Sequence, residues 1–581
     1  MSHVLWTPPA GRKTNMDDFR EIISSKYNLK LDSYFDLYQW SIDNYVMFWK
    51  EFWSYSNIIY SKPYIEVIDE TKRMDEIPEW FAGARLNYAQ NLLRYNDDRI
   101  ALYACSEGNP GIIQITHRQL TNVVNKYRIA LKNAGVGMGD RVVGFLPNSP
   151  EAIIACLAAA SLGAIWSTAS ADFGVMGVVE RFSQIEPKVL FAVNAVVYNN
   201  KIHDSLDKLR QIVQAIPSLK VVVVIPFVPS HSMNLSSISN SITIDQFLSN
   251  VGTSGDLIDN DQLIEYEQVP FNHSLYILYS SGTTGAPKCM VHGHGGTLLN
   301  HLKEHILHSN MQVDDVLFFY THTGWMMWNW LITAIALGTP IVLYDGSPIV
   351  PNIYRLWDLL DETGITIFGC SAKYLTTLEE RHATPGTTNS LKTLHTILST
   401  GSPLHPRIFD YVYTDIKSNI LLGSITGGTD IVSVFCGVNP TLSVHRGEIQ
   451  SQHLGMACES WSDEGKSVMG ESGELVCVKP FPCMPICFWN DKNGEKYRKA
   501  YFDKYPGVWA HGDYCSINPV TRGIVMLGRS DGTLNPAGIR FGSAEIYSVV
   551  EQFEEIIDSL CVGQRNPNSD DERVLLFVKV S

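Results

Sequence analysis

The chain has 581 residues, a formal charge of −15 and no run of basic residues. That balance excludes general nucleic-acid binding, which needs clustered Lys and Arg to neutralise phosphates. Hydrophobic residues at 45% and charged residues at 18% exclude a disordered chain, and the length suffices for roughly four average domains. Eleven scattered cysteines form no paired framework, and the odd count fits reduced thiols in a cytosolic protein. Residues 1–13 lack the apolar core of a secretory signal. The longest apolar stretch, 152–166, contains Ser161 and Gly163 and falls short of about 18 uninterrupted residues, so no membrane span is expected.

In chain order, the first hundred residues are aromatic-rich, with Trp40, Trp49, Trp53 and Trp80, and carry helical spacing over 43–53. Residues 1–118 therefore read as a cap on the unit that follows. From Gln119 helix and strand patterns alternate: a helix through Leu131, a Gly-rich turn at 135–140, the apolar strand Arg141–Leu146, and later the β-branched run 219–225. Such alternation predicts an α/β body over 119–527, with mainly parallel sheets flanked by helices. Residues 229–260, rich in Ser, Asn and Asp, read as a surface excursion. A boundary falls near Gly528. Residues 528–581 then offer one helix pattern (543–553) and strands near Cys561 and at 574–580, a small α/β unit expected to be truncated because the chain stops inside a strand.

The strongest chemical signal is Tyr279-Ser-Ser-Gly-Thr-Thr-Gly-Ala-Pro-Lys288, directly after the apolar residues 275–278. Glycines let the backbone approach an anion, successive N–H groups form a nest for phosphate oxygens, and hydroxyls and Lys288 add donors and charge. Pro287 stands where a Walker A loop needs Gly, so it is not that motif. A lone GxxG would read as a flexible turn. Ten residues of this type after a strand point to phosphate.

This loop resembles the signature loop of the adenylate-forming superfamily, which unites acyl-CoA synthetases, luciferases and peptide-synthetase adenylation domains. Other segments agree with that family in order. Residues 131–142 and Pro147-Asn-Ser-Pro-Glu151 resemble its early motifs, and Thr400-Gly-Ser-Pro403 the turn that packs on adenine. Gly427-Gly-Thr-Asp430 is similar to the segment whose Thr touches the α-phosphate and whose acidic residue holds Mg²⁺. Gly473-Glu-Leu475 is a weaker match, His511-Gly-Asp513 resembles the ribose-binding segment, and Gly528-Arg-Ser-Asp531 the inter-domain hinge.

The resemblance implies ATP, Mg²⁺ and coenzyme A as reactants and cofactor, and a small carboxylic acid as substrate. It implies phosphate contacts from Ser280, Ser281, Gly282, Thr283, Thr284 and Lys288, and nucleotide contacts from Gly401, Ser402, Pro403, Gly428 and Thr429. It places Mg²⁺ at Asp430, the ribose at Asp513 and Arg529, a cation for the adenylate phosphate at Arg540, the thiol tunnel at Gly538 and the hinge at Asp531. Thr284, Thr429, Asp430 and Arg540 form the catalytic set. A carboxylate attacks the α-phosphorus and pyrophosphate leaves, so positioning and electrostatics do most of the work. Taken alone, Asp513 reads equally well as a helix or turn cap, and Arg540 as a surface ion-pair partner.

Within the family, the aromatic N-terminal region, residues 280–308 and residues 320–330 resemble the branch that ligates acetoacetate, a relative of the acetyl-CoA synthetases. Those synthetases close the acid pocket with a Trp two residues before the Thr. Gly427 stands at that place here, so an open floor and a longer acid are expected. Trp325 matches a pocket aromatic, and Met326 and Met327 replace smaller residues with side chains that adapt to irregular shapes. Trp328 and Trp330 are assigned to the core. Acetoacetate is the leading acid, with propionate or butyrate as alternatives. A catalytically weak nucleotide-binding relative is a further alternative, because the family's C-terminal Gly-Lys segment has no match before Ser581.

Two rival patterns remain. His301-Leu-Lys-Glu-His305 is HxxEH, which on a helix sets two zinc-ligating histidines on one face with Glu304 between them, and Glu379 or Glu380 lies downstream as a third ligand. A helix with solvated or capping histidines is the better reading. Gly293-His-Gly295 lacks the third glycine of a dinucleotide fingerprint.

Overall fold

Two large sheets, each mostly parallel, carry their C-terminal strand ends toward one another's loops and define where a ligand can sit. The architecture comes from a computed structural model, which describes residues 3–249, 251, 264–280, 286–530, 534, 536, 546, 549, 550, 553, 555–565 and 572–580. The first sheet has eight strands in the order Ser241–Thr243, Val221–Ile225, Val189–Val193, Arg141–Leu146, Ile165–Ser170, Ser274–Ser280, Lys288–Gly293 and Cys487–Phe488. Its first six strands run parallel, and the last two pairings are antiparallel. The run Val221–Ile225 is β-branched and four of its five residues are buried, as a strand covered on both faces requires.

The second sheet orders Leu421–Ser424, Thr396–Thr400, Ile367–Ser371, Leu317–Phe319, Ile341–Asp345, Ile100–Ser106 and Asn109–Thr116, parallel up to its final hairpin. Helices cover both sheets. One of them, Pro150–Ser161, accounts for most of the longest apolar stretch and buries ten of its twelve residues. Among the described residues no helix is long and apolar enough to cross a membrane. A four-stranded antiparallel sheet, Cys458–Trp461, Gly473–Cys477, Trp509–Ile517 and Ile524–Arg529, packs beside them. The fold is therefore α/β, as its sequence patterns predict.

The aromatic N-terminal region forms the helices Asn15–Tyr27, Tyr34–Asp43 and Tyr45–Tyr55, the first two opened by capping boxes, Thr14 with Asp17 and Ser33 with Asp36. Trp49, Phe48 and Phe19 are fully buried. Tyr38 donates its hydroxyl to Met456 O at 3.1 Å, and Phe48 lies so close to Gly455 that a Cβ there would sit 2.4 Å from its ring. The hairpin over residues 100–116, on the N-terminal side of the 118/119 boundary, completes the second sheet. Beyond Arg529, Ile556–Arg565 and Glu572–Val580 pair antiparallel.

Candidate active site

Parallel strands point their carboxyl ends, and hence their loops, at one crevice. Ser170 and Ser280 end strands of the first sheet; Asp345, Ser371, Thr400 and Ser424 end strands of the second. All six line one cavity of about 810 Å³. The same cavity is lined by Gly401, Ser402 and Pro403, by Gly427, Gly428 and Thr429, by Trp325, Met326 and Met327, and by Asp513 and Arg529. Segments from Ser170 to Arg529 in sequence thus share one space. Ser281, Gly282, Thr283, Thr284, Asp531, Gly538 and Arg540 lie outside the described residues.

Asp513 and Arg529 face each other as direct cross-strand partners in the antiparallel ladder. Arg529 Nη1 donates to Asp513 Oδ1 at 3.3 Å, and His511 Nε2 lies 3.6 Å from Asp513 Oδ2. Glu474, almost wholly buried, organises this edge. One oxygen accepts from the Gly512 N–H at 2.9 Å and the Ser530 hydroxyl at 2.8 Å, while the other takes Lys504 Nζ at 3.0 Å. The weak match at Gly473-Glu-Leu475 was the one sequence signal for that role.

Lys288 begins its strand opposite Ser280, so the residues that flank the Gly-rich loop are register partners in an antiparallel pair. Asp430 is buried next to Thr429, and Tyr501 donates its hydroxyl to Asp430 Oδ1 at 2.6 Å. The Tyr501 ring stacks on Trp509 at 3.7 Å, and Lys288 Nζ sits 5.7 Å above the same ring. Burial, together with the adjacent Asp430 charge, holds the Tyr501 hydroxyl well above its ordinary acidity range, so it stays a donor. No motif announces Tyr501, because a buried tyrosine looks like any core aromatic.

Gly427 needs a correction. It lines the cavity, but a Cβ there would lie 2.1 Å from Ser433 O and 2.8 Å from Val434 Cα. The space freed by the missing side chain is taken by the backbone of the strand Ser433–Gly437. Glycine is required by close strand approach, beside a bulge between Thr426 and Gly427. Trp325 lines the pocket and approaches Gly401, while Trp328 and Trp330 are core residues.

The histidines of HxxEH are fully buried, where solvated or capping side chains were expected. His301 bonds Thr333 Oγ1 at 2.8 Å and also Val432 O, and His305 Nε2 bonds Trp330 O at 2.9 Å. Burial holds both rings in the neutral form, with His301 pushed down to about 4 and His305 to about 3. Among the described residues no group of three or more His, Cys, Asp or Glu could hold a metal ion. The zinc reading is set aside.

Sequence patterns also missed Asp345, Asp172 and His322, which line the cavity, and the cations Arg181 and Lys208. Burial pushes the Asp345 carboxyl up to about 7; the Asn148 N–H at 3.2 Å opposes this, and charge on Asp172 and Glu107 adds to it.

A profile of the AMP-binding enzyme family matches residues 89–482, more than half of the chain. The chain belongs to the AMP-binding enzyme family. A second profile, the acetyl-coenzyme A synthetase N-terminus, matches residues 34–92. Among similar members of the AMP-binding family, acetoacetyl-CoA synthetase of Gallus gallus is 58% identical over 582 residues, covering all of this chain and 86% of that protein. Malonamoyl-CoA synthetase of Penicillium aethiopicum is 44% identical, covering 99% and 81%. The solved acetoacetyl-CoA synthetase from Streptomyces lividans superposes with a TM-score of 0.85 at 37% identity, covering 100% of this chain and 87% of that one.

Proposed function

We propose that this enzyme ligates acetoacetate to coenzyme A through an acyl-adenylate, releasing AMP and pyrophosphate. The observation that carries the reading is the single cavity in which Gly401–Pro403 segments, Thr429, Asp513 and Arg529 meet Trp325, Met326 and Met327. A nucleotide held by the former presents its α-phosphorus beside an acid seated against the latter. The acid's carboxylate attacks that phosphorus, and pyrophosphate leaves. The thiol of coenzyme A then attacks the acyl carbonyl, and AMP leaves.

Asp430 is a carboxylate beside the phosphate-contacting Thr429, an oxygen donor of the type Mg²⁺ prefers, and the bound cation would neutralise charge on the departing pyrophosphate. Asp513 and Arg529 orient the ribose. Arg181 and Lys208 bring positive charge to the cavity wall built by the first sheet, which suits the anionic nucleotide of coenzyme A. Two named relatives favour acetoacetate over butyrate or propionate. Acetoacetyl and malonamoyl groups have the same size and both carry a carbonyl at the third carbon. A reducing cytosolic setting fits eleven free thiols, ten of them buried.

AMP release from ATP, with Mg²⁺ and coenzyme A, tests the reading when acetoacetate, acetate, propionate and butyrate are supplied in turn. Turnover is expected to be fastest with acetoacetate and to vanish in Thr429→Ala and Asp430→Ala. Faster turnover with butyrate would overturn the acid assignment. ATP binding without turnover of any acid would favour the nucleotide-binding reading.

A further inference from the structure

Glu304 is the one member of the HxxEH pattern that the zinc reading left as a base, and its actual partners give it a different task. It opens a π-helical turn, Glu304–His308, that continues the helix His294–Lys303, and it is 1% exposed. Such wide turns recur at functional sites because they redirect a side chain out of the regular helical register.

Three donors converge on its carboxylate. The Ser433 hydroxyl and the Val434 N–H, at 3.1 Å, donate to Oε1; the Trp330 indole N–H donates to Oε2 at 2.8 Å. Lys303 Nζ lies 4.0 Å from Oε1. Ser433 also accepts from Asn300 Nδ2 at 3.1 Å, one helical turn before Glu304.

The donors belong to two different elements that line the acid pocket. Trp330 lies on the helix Met326–Thr333, whose first two residues, Met326 and Met327, line the cavity. Ser433 and Val434 line it too, on the strand that presses against Gly427 and Gly428. The Gly427 contact leaves that strand no room to move inward, and Glu304 holds it from behind. We propose that Glu304 is a positioning residue: its carboxylate ties the Ser433–Val434 wall to the Met326–Met327 wall and so sets the acyl length that the pocket accepts. The inference rests on the acid-pocket reading above.

A glutamine cannot replace it. A carboxylate accepts from all three donors, whereas an amide must turn its NH₂ either toward the Trp330 N–H or toward the Ser433 hydroxyl and Val434 N–H, which breaks the tie at one wall. The test reads binding rather than turnover: affinities of the stable adenylate mimics acetyl-, butyryl- and hexanoyl-sulfamoyladenosine for the whole chain, with melting temperature alongside. The parent is expected to prefer the butyryl mimic. In Glu304→Gln that preference should collapse by roughly ten-fold, as an unpaired buried donor implies. Trp330→Phe, which removes one donor and keeps the bulk, should move the ratio the same way by less, and decides the matter if Glu304→Gln does not fold. A core-only role would lower the melting temperature and weaken all three mimics equally, and that outcome overturns the proposal. A parent that binds the mimics without a length preference also overturns it and leaves the ligase reading standing; a parent that binds none overturns both.

Discussion

Tyr501 donates its hydroxyl to Asp430 at 2.6 Å while its ring lies flat on Trp509, with ring centres 3.7 Å apart and planes 14° apart. The stack fixes the ring, and the ring aims the hydroxyl, so the carboxylate proposed to hold Mg²⁺ is oriented by an aromatic pair with no motif of its own. Outer partners of this kind typically change metal affinity 10- to 100-fold. Tyr501→Phe keeps the stack and removes the bond. The Mg²⁺ concentration for half-maximal AMP release should rise roughly ten-fold, with little change in melting temperature. A Mg²⁺ titration of both proteins checks this, and an unchanged midpoint would show that Tyr501 does not orient Asp430.

Glu474 gathers the Gly512 N–H, the Ser530 hydroxyl and the Lys504 ammonium. Gly512 precedes Asp513, and Ser530 follows Arg529. Glu474→Ala leaves partly buried donors on both sides of the Asp513–Arg529 pair without their acceptor, at a cost of about 1 kcal/mol. The expected outcome is a KM for ATP raised several-fold with the acid KM nearly unchanged. Equal rises in both would mean a general loss of structure.

Gly427→Ala tests close approach against open space. A methyl group 2.1 Å from Ser433 O forces the two strands apart. Overpacking of this sort costs about 1–3 kcal/mol. Denaturant melts should show that loss, and kcat/KM for the acid should fall more than kcat/KM for ATP. A stable, fully active variant would restore the reading that the glycine simply leaves the floor empty.

Asp345 gives stability a pH dependence of definite sign. Its carboxyl is raised from 3.8 to about 7, mainly by burial. Across that window the native protein binds more protons than the unfolded chain, so this group's contribution to stability falls as pH rises and levels off above about 7. Asp345→Asn removes the term. The melting temperature of the variant should gain on the parent by a few degrees between pH 5 and pH 7.5. A constant difference across that range would place the Asp345 carboxyl near its ordinary value in the folded protein.

Much of the site was legible from short runs. Phosphate chemistry demands Gly, Ser and Thr at close spacing, so the loop after Tyr279, Gly401-Ser-Pro403, Gly427-Gly-Thr429 and Asp513 stand out in one dimension; Tyr279 and Ser280 at the start of that loop line the cavity, as do the other three segments. The αβ alternation was equally plain, since strands such as Arg141–Leu146 and Val221–Ile225 announce themselves by unbroken apolar runs.

What only the folded chain decided are relationships across sequence distance. Glu304 reads as a zinc-site base until Ser433 and Val434, 129 and 130 residues away, are seen to donate to it. Gly427 reads as an opening until the backbone of Ser433 fills the space. The reason is physical. A motif records what a residue type can do, whereas hydrogen bonding, burial and steric room depend on neighbours that tertiary packing alone supplies.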